Sequence, residues 1–113
     1  MEEILRQTLL YDFYGELLTE HQKQVYEDVV LNDYSLSEVA QSLSISRQGV
    51  HDLIKRCDRI LAGYEEKLHL IEKFQETKQL VTEIRELTQR FQETNDRKLI
   101  EKIEQISSDI IDL

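Results

Sequence analysis

The sequence predicts an all-α protein built around a helix-turn-helix. Two observations indicate helices throughout. The 113 residues include no proline and only three glycines, so the chain has little of the turn chemistry that a β-sheet needs. Apolar residues recur at steps of three and four along nearly the whole chain, which is the spacing of one helix face. A third observation, two short helical segments with good N-caps on either side of a tight turn, predicts the helix-turn-helix.

The first two helices are predicted from the N-terminal third of the chain. Helix one runs from Glu2 to about Glu16 on a broad apolar face, and Gly15 marks its end. Thr19 is the expected N-cap of a second helix that reaches Leu31. Asn32 and Asp33 then form a turn, because both residue types tolerate left-handed backbone.

The helix-turn-helix is predicted from Ser35 onward. Ser35 and Glu38 have the spacing of a capping box, in which each side chain bonds a backbone amide at the other end of the first turn. This third helix ends near Leu43, and Ser46 caps a fourth helix beginning at Arg47. No helix breaker follows for a long way, so the fourth helix is predicted to continue as one rod to about Phe74.

The pattern of this segment separates a packing face from a free face. The small Ala40 suits the crossing of the two helices, and apolar neighbours fix the pair to the core. The predicted core consists of Val39, Ala40, Leu43, Ile45, Val50 and Leu53. The polar residues of the fourth helix then project outward, where a recognition helix enters the major groove of DNA. The candidate nucleic-acid-binding residues are Ser46, Arg47, Gln48, His51, Lys55 and Arg56.

The C-terminal part of the chain carries two narrow apolar stripes bordered by charges. They predict a fifth and a sixth helix, separated by a turn at Thr94-Asn95-Asp96. The stripes either fold back onto the fourth helix or pair with a second copy, and we favour a homodimer. Its candidate contacts are Leu80, Ile84, Leu87, Phe91, Ile103, Ile106 and Ile110. The expected division is a helix-turn-helix domain, residues 1–63, and a dimerisation arm, residues 64–113.

The charge of the chain argues against tight DNA binding. The formal net charge is -9, and the three segments 1–34, 35–63 and 64–113 contribute -6, +1 and -4. Affinity for duplex DNA comes largely from neutralised phosphates. In the recognition helix, Asp52 and Asp58 are expected to offset part of the basic charge. We therefore expect DNA binding to be weak.

Several function classes find no support in the residues. Glu66 and His69 form a single Glu-x-x-His, whereas a di-iron site needs two, and the three histidines are far apart in sequence. Cys57 is the only cysteine and falls on an apolar stripe, which indicates a packed thiol. We expect no enzyme, no cofactor and no metal. The acidic MEEILRQ start and the absence of a long apolar run predict a cytoplasmic protein without membrane insertion.

The stretch DYSLSEVAQSLSISRQGVHDLIKR, continued by YEEKLHLIEKF, resembles the YlxM family of bacterial proteins over residues 4–75. The helix-turn-helix is also similar to region 4 of sigma factors, whose second helix reads promoter DNA. The resemblance implies a helix-turn-helix regulatory protein connected with the signal recognition particle (SRP) pathway. An alternative is an adaptor that does not bind DNA and contacts the SRP GTPase or its RNA through an acidic helical surface.

Overall fold

The structure, a computed structural model, describes residues 2–113. They form six α-helices and no β-strand, which confirms the predicted all-α class. The helices are α1 (Glu2–Tyr14), α2 (Glu20–Tyr26), α3 (Leu36–Leu43), α4 (Arg47–Leu68), α5 (Leu70–Thr94) and α6 (Lys98–Ile111). A 3₁₀ turn, Gly15–Leu17, follows α1, and a π-helical turn, Glu27–Leu31, extends α2.

The chain divides into two compact units, Met1–Ile71 and Glu72–Leu113. The first unit contains the helix-turn-helix and the second contains most of α5 and all of α6. The boundary between the two compact units thus lies after Ile71. The functional division after Gly63 stays a prediction.

The core of the first unit is closed and rich in aromatic side chains. Its largest fully buried side chains are Tyr14, Tyr26, Leu61, Val25, Val50 and Cys57. The ring of Tyr11 stacks on that of Tyr26 with centroids 5.5 Å apart. Burial raises the pKa of the Cys57 thiol to about 11, so this side chain is a protonated packing group at neutral pH, as predicted.

The turn after α1 depends on a glycine because the backbone passes close to an aromatic ring. A Cβ at Gly15 would lie 2.8 Å from the nearest ring carbon of Tyr11, closer than real contacts allow. This glycine therefore ends α1 two residues before the predicted Glu16 boundary. Thr19 then caps α2 in a capping box with Gln22.

The turn of the helix-turn-helix is built without glycine. Ser44 adopts a left-handed conformation with φ 57°. The Ile45 amide donates to the Ala40 carbonyl over 3.1 Å, and the Ser44 amide donates to Gln41 over 3.3 Å. These two bonds form a Schellman motif, which closes α3 at the predicted residue. The Ser35–Glu38 capping box at the other end is confirmed, with both bonds at 3.0 Å.

The prediction of one rod from Arg47 to about Phe74 is wrong. The helix stops at Leu68, and His69 takes a left-handed conformation with φ 56° before α5 begins. The Leu70 amide donates to the hydroxyl oxygen of Tyr14 over 3.2 Å, and the Ile71 amide donates to Glu65 Oε1 over 3.0 Å. At the start of α5, a residue of α1 thus accepts an amide that has no partner within the helix. Tyr14 is far from Leu70 in the sequence, so no local pattern predicts this cap.

The second unit is described by its own two helices. Asn95, with φ 55°, ends α5, and the Asp96 carboxylate accepts the Lys98 amide over 3.0 Å at the start of α6. An open groove of about 410 Å³ is lined by both helices, so α6 returns alongside α5. Leu87 and Leu99 are buried within this pair. Among residues 2–113, no helix is both long and apolar enough to cross a bilayer.

Candidate nucleic-acid interface

The start of α4 is held in place by the cap that the sequence predicts. Ser46 Oγ accepts the Gly49 amide over 2.9 Å, and the Ser46 carbonyl accepts the Val50 amide over 3.1 Å. Below this cap, Val50 is fully buried and Ala40 is nearly so, which fixes α4 against α3. The first amides of α4 and the positive end of its dipole suit a phosphate.

The structure presents the predicted binding residues on the solvent side of α4. All six are exposed, and Arg59 continues the same face one turn beyond Lys55. Helical spacing alone brings them together, because residues three and four apart are neighbours on the helix surface.

The predicted core of the helix-turn-helix differs at one position. Val39, Ala40 and Val50 are buried, and Leu43 and Leu53 are half-buried. Ile45 is instead 43% exposed, and its side chain lies over Gly49, where its Cδ1 would be 3.7 Å from an added Cβ. Ile45 therefore covers the first turn of α4 from outside.

Within the exposed face, Asp52 engages two of the candidate base-reading side chains. Gln48 Nε2 donates to Asp52 Oδ1 over 2.9 Å, and His51 Nδ1 lies 3.7 Å from the same oxygen. In the free protein the Gln48 amide is thus held along the helix. Reading a base edge with Gln48 requires this bond to open or to be shared.

Asp58 does not lie on the exposed face of α4, and the expectation that it offsets the basic charge there is wrong. Its carboxylate is buried and accepts two bonds from Gln7 Nε2, at 3.1 and 3.2 Å. The Tyr26 hydroxyl donates to Asp58 Oδ1 over 2.7 Å. Burial and the adjacent carboxylate raise the pKa of Tyr26, so the phenol keeps its proton.

The sequence contained a signal for this buried carboxylate. Asp58 lies four residues after Ile54 and three before Leu61, so it falls on the apolar stripe of α4. What the sequence does not contain is the partner, because Gln7 is 51 residues away in the chain.

The exposed charge of the recognition helix is therefore clearly positive. Over residues 47–59 of α4, four cations are exposed, Arg47, Lys55, Arg56 and Arg59, against one exposed carboxylate, that of Asp52. This gives a local net charge of +3, whereas counting both aspartates gives +2. The N-terminal part of α4 is a basic surface on an acidic protein.

The two apolar stripes of the second unit are only partly covered within one chain. Leu87 is buried, and the other six residues predicted at the dimer contact are half-buried. Leu113, at the end of the second stripe, is exposed. The helical pair thus covers part of its apolar surface by itself.

Fold and interface together define a helix-turn-helix protein. The chain belongs to the UPF0122 family, described as "Putative helix-turn-helix protein, YlxM / p13 like", whose family model matches residues 1–106. This confirms the resemblance to YlxM seen in the sequence.

Similar proteins from several bacteria support this assignment over most of the chain. UPF0122 protein TTE1463 of Caldanaerobacter subterraneus subsp. tengcongensis is 51% identical over 85 residues, covering 75% of this chain and 73% of its own. UPF0122 protein Teth514_1714 of Thermoanaerobacter sp. (strain X514) is 42% identical over 113 residues, covering 99% and 97%. UPF0122 protein RBAM_015800 of Bacillus velezensis is 43% identical over 107 residues, covering 94% and 97%.

Proposed function

We propose that this chain is a DNA-binding regulatory protein that places the N-terminal half of α4 in the major groove. The observation that carries the proposal is the charge of that surface. Four cations are exposed on it, and the second carboxylate that would repel phosphates is turned into the core by Gln7 and Tyr26.

The roles of the individual residues follow from their positions on α4. Arg47 and Gln48 occupy the first turn, where recognition helices approach base edges, and these side chains suit guanine and adenine respectively. Lys55, Arg56 and Arg59 lie further along and suit the flanking phosphates. Ser46 and the first amides of α4 suit one more phosphate at the helix N-terminus.

The affinity of one recognition helix is modest by this reasoning. Four cations that each neutralise one phosphate give a slope of log K against log salt of about -3 to -4. We expect dissociation constants no tighter than about micromolar at physiological salt, the range of non-specific binding. The net charge of -9 acts in the same direction.

The DNA proposal predicts opposite effects for two neighbouring substitutions on α4. Arg47→Ala should weaken binding at least about fivefold and reduce the salt slope by about 1, because one contact to the duplex is lost. Asp52→Asn should strengthen binding about threefold to tenfold, because a charge that repels phosphates is removed while an acceptor for Gln48 remains. Fluorescence anisotropy with a labelled 20-base-pair duplex over a range of salt measures both.

Lys67→Ala is the matched control, since Lys67 is exposed on the same helix but lies beyond the recognition surface. It should leave the dissociation constant within about twofold of wild type. Equal effects of Arg47→Ala and Lys67→Ala would contradict the proposal. Nanomolar binding that Arg47→Ala abolishes would overturn only the expectation of weak binding.

We further propose that two copies pair through the second unit. The half-buried apolar side chains of the two stripes lose more of their exposed surface in a dimer. Full burial of an exposed side chain of this size contributes about 1.5–3 kcal/mol, and the half-buried ones contribute part of that. Two-fold pairing is the commonest closed symmetry, and it presents two recognition helices to a palindromic site. Light scattering at micromolar concentration should give twice 13.5 kDa, and Ile84→Glu/Ile106→Glu should abolish the dimer. A wild-type monomer would contradict this.

A second candidate function is the adaptor of the SRP pathway. Residues 1–34 carry a net charge of -6 and residues 64–113 a net charge of -4. This acidic surface suits a basic partner such as the SRP GTPase, whereas contact with its RNA requires a basic protein surface. An adaptor keeps its partner when Arg47 is replaced by Ala, whereas DNA binding weakens. Titration of purified SRP GTPase and its RNA against both forms of the protein separates the two functions.

A further inference from the structure

A narrow groove between α2 and α3 lies within the first unit and is lined entirely by residues from His21 to Leu43. Its volume is about 220 Å³. Pockets for drug-sized ligands run from about 300 to 1,000 Å³, so this groove is too small for such a ligand and suits one long side chain.

The groove has an apolar floor and acidic walls. Val25 and Val39, both buried core residues, form part of the floor. Asp28 lines the groove from the turn after α2 and Glu38 lines it from α3, and the lining contains neither lysine nor arginine. Tyr34 stands at the groove with 51% of its surface exposed, an unusually open position for an aromatic residue in this unit.

Each of the two carboxylates uses one oxygen to support the local fold. Asp28 Oδ1 accepts from Gln24 Nε2 over 3.1 Å, and Glu38 Oε1 accepts the Ser35 amide over 3.0 Å. Two negatively charged carboxylates thus border the groove, Asp28 from the turn after α2 and Glu38 from α3.

We propose that this groove is a docking site for an arginine side chain presented by a partner protein. The apolar stem of arginine fits the floor, and the guanidinium carries enough donors in one plane to reach both carboxylates. The half-exposed side chain of Tyr34 lines the same groove and offers a cation–π contact, which arginine makes more often than lysine. The site is independent of the recognition surface, and the proposal holds whether or not α4 binds DNA.

The choice of arginine over lysine rests on the shape of the site. Two carboxylates from different elements and a half-exposed aromatic side chain at one groove suit a planar guanidinium with several donors, whereas an ammonium is a compact, strongly hydrated point charge. A neutral ligand of the same shape lacks the attraction to both carboxylates.

The test uses the full chain and three capped pentapeptides. The central residue is arginine in the first, lysine in the second and citrulline in the third, and a leucine stands on either side of it. Two-dimensional ¹H–¹⁵N NMR titrations measure the dissociation constant and locate the site. The arginine peptide should shift the amides around Asp28, Tyr34 and Glu38, and it should bind at least about tenfold more tightly than the citrulline peptide. The lysine peptide should bind with intermediate affinity.

A double variant, Asp28→Asn/Glu38→Gln, tests the carboxylates while keeping the fold. Glutamine at this position retains the capping box, and asparagine retains the acceptor for Gln24. The arginine peptide should bind this variant at least about tenfold more weakly. The control Asp12→Asn/Glu66→Gln removes two exposed carboxylates outside the groove and should leave binding unchanged.

Three results would overturn the proposal: equal affinity for the arginine and citrulline peptides, shifts spread over acidic positions outside the groove, or equal losses in the two double variants. Arg47→Ala should leave peptide binding unchanged. A failure of DNA binding and a failure of the arginine site are therefore separate outcomes.

Discussion

Replacing Tyr26 by phenylalanine should lower the free energy of unfolding by about 2–3 kcal/mol. The Tyr26 side chain is fully buried, and its hydroxyl donates to Asp58 Oδ1 over 2.7 Å. A hydrogen bond to a charged group contributes about 1.5–3 kcal/mol, and its removal leaves a buried carboxylate with fewer donors. Urea denaturation followed by circular dichroism measures the change.

Tyr34→Phe is the matched control for Tyr26→Phe. Tyr34 is 51% exposed, so loss of its hydroxyl should change stability by less than about 0.5 kcal/mol. The position of Asp58 can be checked in the same experiment series. Asp58→Asn should destabilise the fold without the gain in DNA affinity expected for Asp52→Asn. A stable Asp58→Asn variant with increased DNA affinity would place Asp58 on the recognition face instead.

Replacing Leu61 by alanine should cost about 2–5 kcal/mol, the usual range for a large-to-small change in a core. Leu61 has no exposed surface, and it lies on α4 three turns beyond Val50. Its removal leaves a cavity in a closed core that includes Tyr14 and Cys57. Thermal and urea unfolding should both show the loss.

Leu68→Ala provides the comparison on the same helix. Leu68 is the last residue of α4 and is 46% exposed, so the same substitution should cost less than about 1 kcal/mol. Similar losses at both positions would contradict the exposed position of Leu68 at the end of α4.

Much of the helix-turn-helix could be predicted because its determinants are local. Capping boxes join residues three apart, and apolar spacing reports which face of a helix packs inward. Such short-range patterns predicted the Ser35–Glu38 capping box and the Ser46 cap, and they predicted the exposure of Arg47, Gln48, His51, Lys55 and Arg56. Ile45 was misplaced because a residue in the turn belongs to neither helix, so periodicity does not assign it a face.

The groove between α2 and α3 could not be found in the same way. In the sequence Glu38 is the capping-box partner of Ser35, Tyr34 is the residue before that cap, and Asp28 is one of many acidic residues. Only the packing of α3 against the end of α2 places them around one apolar floor. The residue pattern of a single helix does not show which residues of a neighbouring helix will lie opposite it.

The sequence by itself determined the all-α class, the two capped helices of the helix-turn-helix and the set of exposed side chains on its second helix. The tertiary structure alone decided that Asp58 is a core residue paired with Gln7 and Tyr26, and that the long helix breaks at His69 with Tyr14 as a distant cap. The physical reason is the distance along the chain over which each interaction acts. Caps and helical periodicity act over a few residues, whereas a buried polar group is satisfied by whichever residue the fold brings within about 3 Å of it.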